Sequence, residues 1–318
     1  MRTTLRALAL TAALAPAVHA QTAAPVEVPA RFVAGRVMVD VVTASGDTLR
    51  FFTDTGGGTA MLHPDVVARL GLAVDSVRMD GEANPLVDVP PLPAGSPFPL
   101  PGGPFPGRLL VSPPTPTIHD GYHGMLGRVW FAERAWTFDY PAGRLFLRAP
   151  GDLPPHDAAH RVPLGFKVNR AGQRTTHFPR IRIEVDGDSL DLLYDSGASL
   201  GMTDSAHAAL ADGGPAIRGT SFIVAQVFDG WRARHPDWRV IERAERGTGA
   251  AIIEVPRVSI GGYEVGPVWF TRRPDRNFHE YMSQWMDRRI DGALGGSALG
   301  YFRVTVDYPN AVAVFERP

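Results

Sequence analysis

An internal duplication constrains the fold of this chain more than any other feature. Residues 46–56 and 187–197 align without a gap, and each copy ends in Asp-Thr/Ser-Gly, at residues 54–56 and 195–197. An alternating strand and a turn containing Gly or Asp precede each copy, at residues 36–42 and 180–185. This order is typical of a β-hairpin that runs into the motif.

A second pair of matching segments follows the first. An apolar-apolar-Gly segment ends at residues 127 and 295, and an Asp-Tyr-Pro turn begins 12 residues later in both copies, at residues 139 and 307. The interval from the motif Asp to this Gly is 73 residues in the first copy and 100 in the second, which indicates an insertion of 27 residues. Motifs that recur in the same order predict two homologous units.

Composition favours strands and turns. Stretches with helical periodicity are scarce, and 29 Pro and 34 Gly exceed average usage. We expect a mainly β fold with two homologous lobes, residues 31–150 and 151–318, and a cleft between them. Residues 85–116 hold 12 prolines and are expected to form a looped excursion rather than central strands.

The N-terminus has the pattern of a secretory signal peptide, residues 1–20. Arg2 and Arg6 precede an apolar run over residues 7–18, and Val18-His19-Ala20 is a cleavage pattern. We therefore expect export, to the periplasm or the medium. No other run approaches the ~20 apolar residues of a membrane span, and without Cys there is no cysteine-linked lipid anchor or disulfide. A net charge of −1 predicts no nucleic-acid partner.

Each repeat places an Asp directly after an apolar strand. A lone buried carboxylate is costly, but Asp54 and Asp195, related by an approximate two-fold axis, could meet across the cleft and share one proton. One carboxylate can then take a proton from water while the other, protonated, hydrogen-bonds a substrate carbonyl. Asp54 and Asp195 are therefore the candidate catalytic residues for hydrolysis of a peptide bond without a covalent intermediate.

The residues beside the two Asp have supporting roles. Gly56 and Gly197 let the backbone turn tightly and approach the partner lobe. Thr55 and Ser196 supply hydroxyls that can reach the opposing backbone and lock the two turns together. The segments that end at residues 127 and 295 are expected to pack as strands behind the turns.

These motifs resemble the two-lobed aspartic protease superfamily, and bacterial retropepsin-like proteins more than pepsin. The resemblance covers both repeats and hence most of residues 31–318. It implies the acid-protease fold, in which two β-barrel-like lobes hold the active-site cleft between them. It also implies catalysis by Asp54 and Asp195, an extended peptide or protein substrate, and no cofactor or metal. Since both half-sites lie in one chain, a monomer is expected. Asp139 and Asp307 match a turn that is structural in the family.

The sequence departs from the pepsin-like pattern in two places. Gly57 and Ala198 stand where pepsin-like relatives usually place a hydroxyl that hydrogen-bonds a catalytic carboxylate. Loss of this donor predicts activity at mildly rather than strongly acidic pH. No Tyr lies between Gly71 and Gly107, where a pepsin-like flap carries one, so the flap is expected to be different or absent.

A serine hydrolase is one alternative. Residues 197–201 match the Gly-x-Ser-x-Gly elbow, which would make Ser199 the nucleophile, with Asp212 or Asp229 and His235 or His279 as its partners. The first repeat has no Ser at the matching position, and the hairpins argue against a parallel α/β sheet. In the preferred interpretation Ser199 is a turn residue.

Two further alternatives concern metal binding and peptide binding. His119 and His123 lie four residues apart, but zinc needs three or four converging ligands, and the prolines at 113, 114 and 116 favour a surface loop. A non-catalytic peptide-binding or inhibitor-like protein on the same fold stays open, since fold does not determine function. The presence of both Asp residues favours catalysis.

Overall fold

The computed structural model describes residues 24–79 and 81–318. The signal peptide predicted for residues 1–20 lies outside this part of the chain. Strands dominate the described residues, as predicted, and the longest α-helix among them has ten residues. Within these ranges no helix has the length and apolar character needed to cross a membrane.

Most strands of the first half form one sheet around the first motif. In chain order the elements are β1 (Val26–Val28), β2 (Ala30–Val33), β3 (Arg36–Val42), β4 (Thr48–Thr53), β5 (Ala60–Leu62), α1 (Pro64–Leu70), β6 (Asp75–Met79), β7 (Glu82–Asp88), β8 (Arg108–Val111), β9 (Gly124–Leu126), α2 (Arg128–Phe131), β10 (Ala135–Asp139) and β11 (Arg144–Arg148). The sheet has the order β2-β3-β4-β9-β5-β8-β7-β6.

The second half forms a larger sheet around the second motif. In chain order the elements of this half are a 3₁₀ turn (Ala158–His160), β12 (Arg161–Pro163), β13 (Arg180–Val185), β14 (Asp188–Tyr194), β15 (Ser199–Gly201), α3 (Asp204–Leu210), β16 (Ile217–Gly219), β17 (Ser221–Val224), α4 (Ala225–Arg234), β18 (Val240–Ile241), β19 (Ile252–Val255), β20 (Val258–Ile260), β21 (Tyr263–Val265), β22 (Val268–Arg273), a π-helix (Asn277–Met282), a 3₁₀ turn (Ser283–Trp285), β23 (Gly292–Leu294), α5 (Gly296–Leu299), β24 (Arg303–Asp307) and β25 (Val312–Glu316). The sheet has the order β18-β19-β22-β17-β23-β14-β13-β20-β21, and β15 and β16 pair separately.

The repeated sequence produces the same local structure in both halves. The antiparallel hairpins β3–β4 and β13–β14 run into the motifs, as predicted. Strand β13 alternates, with Ile181, Ile183 and Val185 buried, so one of its faces packs on the core. Strand β9 pairs in parallel with β4, and β23 pairs in parallel with β14. Each motif is thus flanked by two strands of its sheet.

A six-stranded antiparallel sheet joins the two halves. Its order is β1-β11-β10-β24-β25-β12, so each half contributes three strands. At the centre β10 pairs with β24, and Thr137 lies opposite Thr305 with 2.7 Å between their hydroxyl oxygens. The two Thr hold equivalent positions, two residues before the Asp of each Asp-Tyr-Pro turn. The pseudo-two-fold axis of the duplication therefore passes between them.

The proline-rich segment differs in part from the looped excursion that its composition predicts. Residues 89–107 are irregular, but they connect β7 and β8, which pair with each other. Pro85 lies in β7 beyond the end of its pairing with β8, a position that tolerates a residue without N–H. Phe98 is buried and stacks on Phe51 and Trp130, with ring centroids 6.1 and 5.7 Å apart. The segment is therefore anchored in the core of the first half.

Candidate active site

The two motif aspartates follow directly after equivalent strands, Asp54 after β4 and Asp195 after β14. The N–H of Asp54 donates to the carbonyl of Leu126, and the N–H of Asp195 donates to that of Leu294, both at 2.9 Å. The segments ending at residues 127 and 295 thus pack behind the turns, as predicted. They hold each Asp at the carboxyl end of its strand.

Two hydroxyl groups lock the turns together. Thr55 Oγ1 donates to the carbonyl of Tyr194 at 2.8 Å and accepts from the N–H of Ser196 at 2.9 Å. The N–H of Thr55 in turn donates to Ser196 Oγ at 3.2 Å. Since Thr55, Tyr194 and Ser196 are fully buried, water does not compete for these bonds. The three hydrogen bonds do not follow the two-fold symmetry, because Thr55 Oγ1 takes part in two of them and Ser196 Oγ in one.

The motif glycines bring each turn into contact with the opposing carboxyl group. A Cβ added to Gly56 would lie 2.6 Å from Cγ of Asp195, and one added to Gly197 would lie 2.3 Å from Cγ of Asp54. These distances are too short for any side chain, so only Gly fits at either position. Each carboxyl group therefore packs against the motif Gly of the other half, and the two groups are close enough for the charge of Asp195 to act on Asp54.

Burial and proximity change the acidity of the pair. Burial raises the pKa of Asp54 well above its usual range, and the charge of Asp195 raises it further. Burial also raises the pKa of Asp195, but a hydrogen bond from Asp54 and the N–H groups of Gly197, Gly56 and Ala198 oppose this rise. The Gly197 N–H lies 2.9 Å from Asp195 Oδ1. The pKa of Asp54 is thus raised more strongly than that of Asp195, which favours Asp54 as the member that holds the shared proton.

This acidity predicts that Asp54→Asn stabilises the fold at neutral pH. The pKa of Asp54 is higher in the folded protein than in the unfolded chain, where it is about 3.9. Protonated Asp54 therefore stabilises the fold fully below this unfolded pKa, and the stabilisation is lost as pH rises through the folded pKa. Asn does not ionise and escapes this loss. Urea midpoints measured between pH 3 and pH 7 should diverge with rising pH, the variant being the more stable. A constant difference across this range would contradict the assigned acidity.

Three buried tyrosines lie near the pair. Tyr140 and Tyr308 are equivalent residues of the two Asp-Tyr-Pro turns, and Tyr194 precedes Asp195. Within residues 24–79 and 81–318, no hydrogen-bond partner reaches their hydroxyls. Burial raises the pKa of all three phenols, and the charge of Asp195 adds to this for Tyr140 and Tyr308. They are therefore neutral at any pH at which Asp195 titrates. The Tyr repeated in both turns is a sequence signal for Tyr140 and Tyr308, whereas Tyr194 has none, because Thr53 stands at its equivalent position.

Neither carboxyl group accepts a hydrogen bond from a hydroxyl of the residue after the motif Gly, because these residues are Gly57 and Ala198. A Cβ on Gly57 would lie 2.8 Å from Cγ of Asp54, so Gly lets the turn close on this carboxyl. The N–H of Gly57 donates to the backbone carbonyl of Asp54 at 3.0 Å, and the N–H groups of Gly56 and Gly57 lower the pKa of the Asp54 carboxyl group. Backbone donors thus replace the missing hydroxyls in part.

A hairpin stands in the first half where a flap would be expected. Strands β6 and β7 follow helix α1 and pair antiparallel from Asp75 opposite Leu86 to Met79 opposite Glu82. The hairpin contains no Tyr, in line with the absence of Tyr between residues 71 and 107. It differs in this respect from the flap of pepsin-like proteins.

Ser199 is neither a turn residue nor an activated nucleophile. It is buried and opens strand β15, and its Oγ donates to the carbonyl of Gly197 at 2.9 Å. Its other partner is Nε of Arg36, at 3.1 Å. A guanidinium cannot accept the serine proton, so this arrangement does not activate the hydroxyl.

The partners considered for a serine triad are engaged elsewhere. Each forms an ion pair or hydrogen bond with another residue: Asp212 with Arg218, Asp229 with Arg272, His235 with Asp186, and His279 with Asp291. Among the described residues, the structure does not bring a His to Ser199.

His119 and His123 lie in the irregular segment between β8 and β9. The His119 ring packs edge-on against His63 and Tyr122, with centroids 5.4 and 4.7 Å apart. His123 Nδ1 accepts from the N–H of Arg50 at 3.0 Å. Burial lowers the pKa of His63 to about 4, which keeps this ring neutral in the cluster. In the part of the chain that the structure describes, no three His, Cys, Asp or Glu lie close enough to hold a metal ion.

The Asp residues of the two Asp-Tyr-Pro turns cap their own turns. Asp139 Oδ1 accepts from the N–H of Ala142, and Asp307 Oδ1 accepts from that of Asn310, both at 3.1 Å. Such bonds stabilise tight turns locally. Asp307 Oδ2 also accepts from the N–H of Gly151 at 2.7 Å, which ties the connection between the halves to the central sheet.

The fold is that of the two-lobed aspartic proteinases. The chain is similar to the crystal structure of an aspartic proteinase from Irpex lacteus, with a TM-score of 0.50 and 12% sequence identity over 92% of this chain and 97% of that one. At this identity the likeness shows the fold alone. No protein-family model matches the sequence. No curated protein matches it.

Proposed function

We propose that this protein is an exported aspartic endopeptidase of the retropepsin-like kind, in which Asp54 and Asp195 activate a water molecule. One observation carries the proposal: the turns that hold the two carboxyl groups, one from each half, interlock, and each carboxyl group packs against the motif Gly of the other half. The aspartic proteinase fold supports it. Export is supported by the signal-peptide pattern at residues 1–20.

We assign the roles of the two carboxyl groups from the direction of their pKa shifts. Asp195, the charged member, accepts a proton from water as the water oxygen attacks the carbonyl carbon of the peptide bond. Asp54 donates its proton to the carbonyl oxygen, which gives a neutral tetrahedral diol. When the C–N bond breaks, the proton on Asp195 passes to the leaving nitrogen and a diol proton returns to Asp54. The pair ends in its starting state, and the step uses no cofactor.

The substrate class follows from the site. A dyad between two halves acts on a chain that lies across both, so we propose an extended peptide or unfolded protein as the substrate. Since both half-sites are in one chain, a monomer suffices. The test is incubation of the purified protein with a denatured protein and a peptide library, read by mass spectrometry. Internal cleavage supports the proposal, whereas peptide binding without cleavage supports the non-catalytic alternative.

We expect a mildly acidic pH optimum that falls in Ala198→Ser. The new hydroxyl would stand beside Asp195 and donate to its charged form, which lowers its pKa. The acid limb of the kcat/KM profile should then move down by about 0.5–1 pH unit. Ala206→Ser, a buried Ala in α3, is the matched control and should leave this limb in place. An active Ala198→Ser variant with an unmoved acid limb would contradict the role assigned to Asp195.

A further inference from the structure

Arg36 is a buried arginine with three hydrogen-bond partners, two in its own half and one in the second half. It opens strand β3 and is 1% exposed. Its Nε donates to Ser199 Oγ at 3.1 Å, Nη1 to Asp120 Oδ2 at 2.5 Å, and Nη2 to the carbonyl of Ile118 at 3.1 Å. The guanidinium carbon lies 4.7 Å from the ring centroid of Phe52. The planar fork is therefore held in one orientation.

Arg36 reaches the dyad through a single hydroxyl. Ser199 Oγ, which accepts from Arg36, donates to the carbonyl of Gly197 at 2.9 Å. The N–H of Gly197 donates to Asp195 Oδ1 at 2.9 Å, and its Cα faces Asp54 so closely that no Cβ fits. Gly197 thus contacts both carboxyl groups, and Ser199, itself bonded to Arg36 of the first half, holds its carbonyl.

The equivalent position in the second half shows that packing alone does not require a charge. Met38 of strand β3 pairs with Phe52, and Arg180 of strand β13 pairs with Leu193. Arg36 and Phe178 lie two residues before Met38 and Arg180. Phe52 and Leu193 are equivalent in the duplication. Phe178 therefore stands where Arg36 stands in the first half. A buried ion pair is costly compared with an apolar side chain of similar size, so the Arg indicates a need for directional bonds.

A second arginine makes the matching contact in the other half-site. Arg128 lies over Phe178, 4.4 Å from its ring centroid, and its Nη1 donates to the carbonyl of Gly58 at 2.5 Å. Gly58 is the equivalent of Ser199, since each is the fourth residue after its motif Asp. A guanidinium is thus bonded to this position in both halves, although Arg36 and Arg128 come from different elements.

We propose that Arg36 is a positioning residue for the dyad: through Ser199 it fixes Gly197, and with it the turn that carries Asp195, against Asp54. Its effect on turnover rests on the proposed function, whereas its effect on the titration of the dyad does not. The hydroxyl of Ser199 is the link, which gives this residue a role that neither a nucleophile nor an incidental turn residue would have.

The expected pH effect has a definite sign. The titratable groups that face Asp195 are Asp54 from the first half and the phenols of Tyr140 and Tyr308 beside the central sheet. If Gly197 loosens, its N–H bond to the charged form of Asp195 weakens, and the pKa of Asp195 rises. The acid limb of the activity profile then moves to higher pH. Partial unfolding lowers the amount of active protein but leaves this limb in place.

Ser199→Ala cuts the link while leaving Arg36 bonded to Asp120. We expect kcat to fall about tenfold with KM little changed, and the acid limb to move to higher pH. Arg36→Met should produce the same shift with a larger loss of kcat, and Arg36→Lys should not rescue it, because one ammonium cannot reach three acceptors. Arg31→Met, which breaks the exposed pair with Asp40, is the control and should keep the wild-type profile.

A second readout separates this inference from the proposed function. Carbon-13 NMR of labelled Asp carboxyl groups follows the titration of the dyad without any substrate. The Asp54→Asn variant identifies which signals belong to the dyad. Wild-type protein that cleaves nothing overturns the proposed function, but an upward shift of the titration in Ser199→Ala still supports the positioning role. Folded Ser199→Ala and Arg36→Met variants that titrate as wild type does overturn that role, whatever their activity.

Discussion

Asn in place of Asp54 or of Asp195 is expected to lower kcat for peptide hydrolysis by at least about 10³-fold. At Asp195 the change removes the base that accepts the proton from water, and at Asp54 it removes the acid that protonates the carbonyl oxygen. KM should change little, because Asn has nearly the same shape and still fits beside the motif glycines. Steady-state kinetics on one cleaved peptide would measure both parameters.

The matched control is Asp139→Asn. Asp139 also belongs to a duplicated motif, but its carboxylate accepts a bond from Ala142 within its own turn, and Asn can make the same bond. We expect near wild-type kcat for this variant. Equal loss in all three variants would point to a general structural effect. Full activity in Asp54→Asn or Asp195→Asn would exclude a mechanism that uses both carboxyl groups.

The duplication made the fold and the two carboxylates predictable from the sequence. An approximate two-fold axis needs matching elements on both sides, and each turn needs its Asp, hydroxyl and Gly, so both copies carry the same residues. The Thr137–Thr305 pair at the centre of the joining sheet follows the same logic, because equivalent positions meet on the axis. Such contacts leave a signal twice in the chain.

Contacts that break the symmetry left no such signal. Arg36 and Ser199 are 163 residues apart and meet only because the halves pack together. The residue patterns of β3 and β13 align Arg36 with Arg180. The strand pairing shows that this alignment is off by two residues, and that Phe178 is the residue equivalent to Arg36. The burial of Phe98 was also unpredictable, since prolines indicate the absence of regular structure and not what an irregular segment packs against.

Gly197→Ala tests whether the approach of the two turns sets the geometry of the dyad. Its new Cβ would lie 2.3 Å from Cγ and 2.4 Å from Oδ1 of Asp54, so the turns must move apart. We expect a loss of about 3 kcal/mol in the free energy of unfolding and a fall in kcat of about 10²-fold or more, since a displacement of about 1 Å is enough for this. Urea denaturation and kinetics on folded protein would measure the two effects separately.

Gly230→Ala supplies the control for the same chemical change. Gly230 lies inside helix α4, where a Cβ would make only an ordinary contact, 3.7 Å from Arg234 Nη1. Ala is a better helix former than Gly, so this variant should gain about 0.5–1 kcal/mol of stability and keep its activity. If Gly197→Ala were as stable and active as Gly230→Ala, the turns would have room to separate, and their contact would not be what holds Asp54 and Asp195 together.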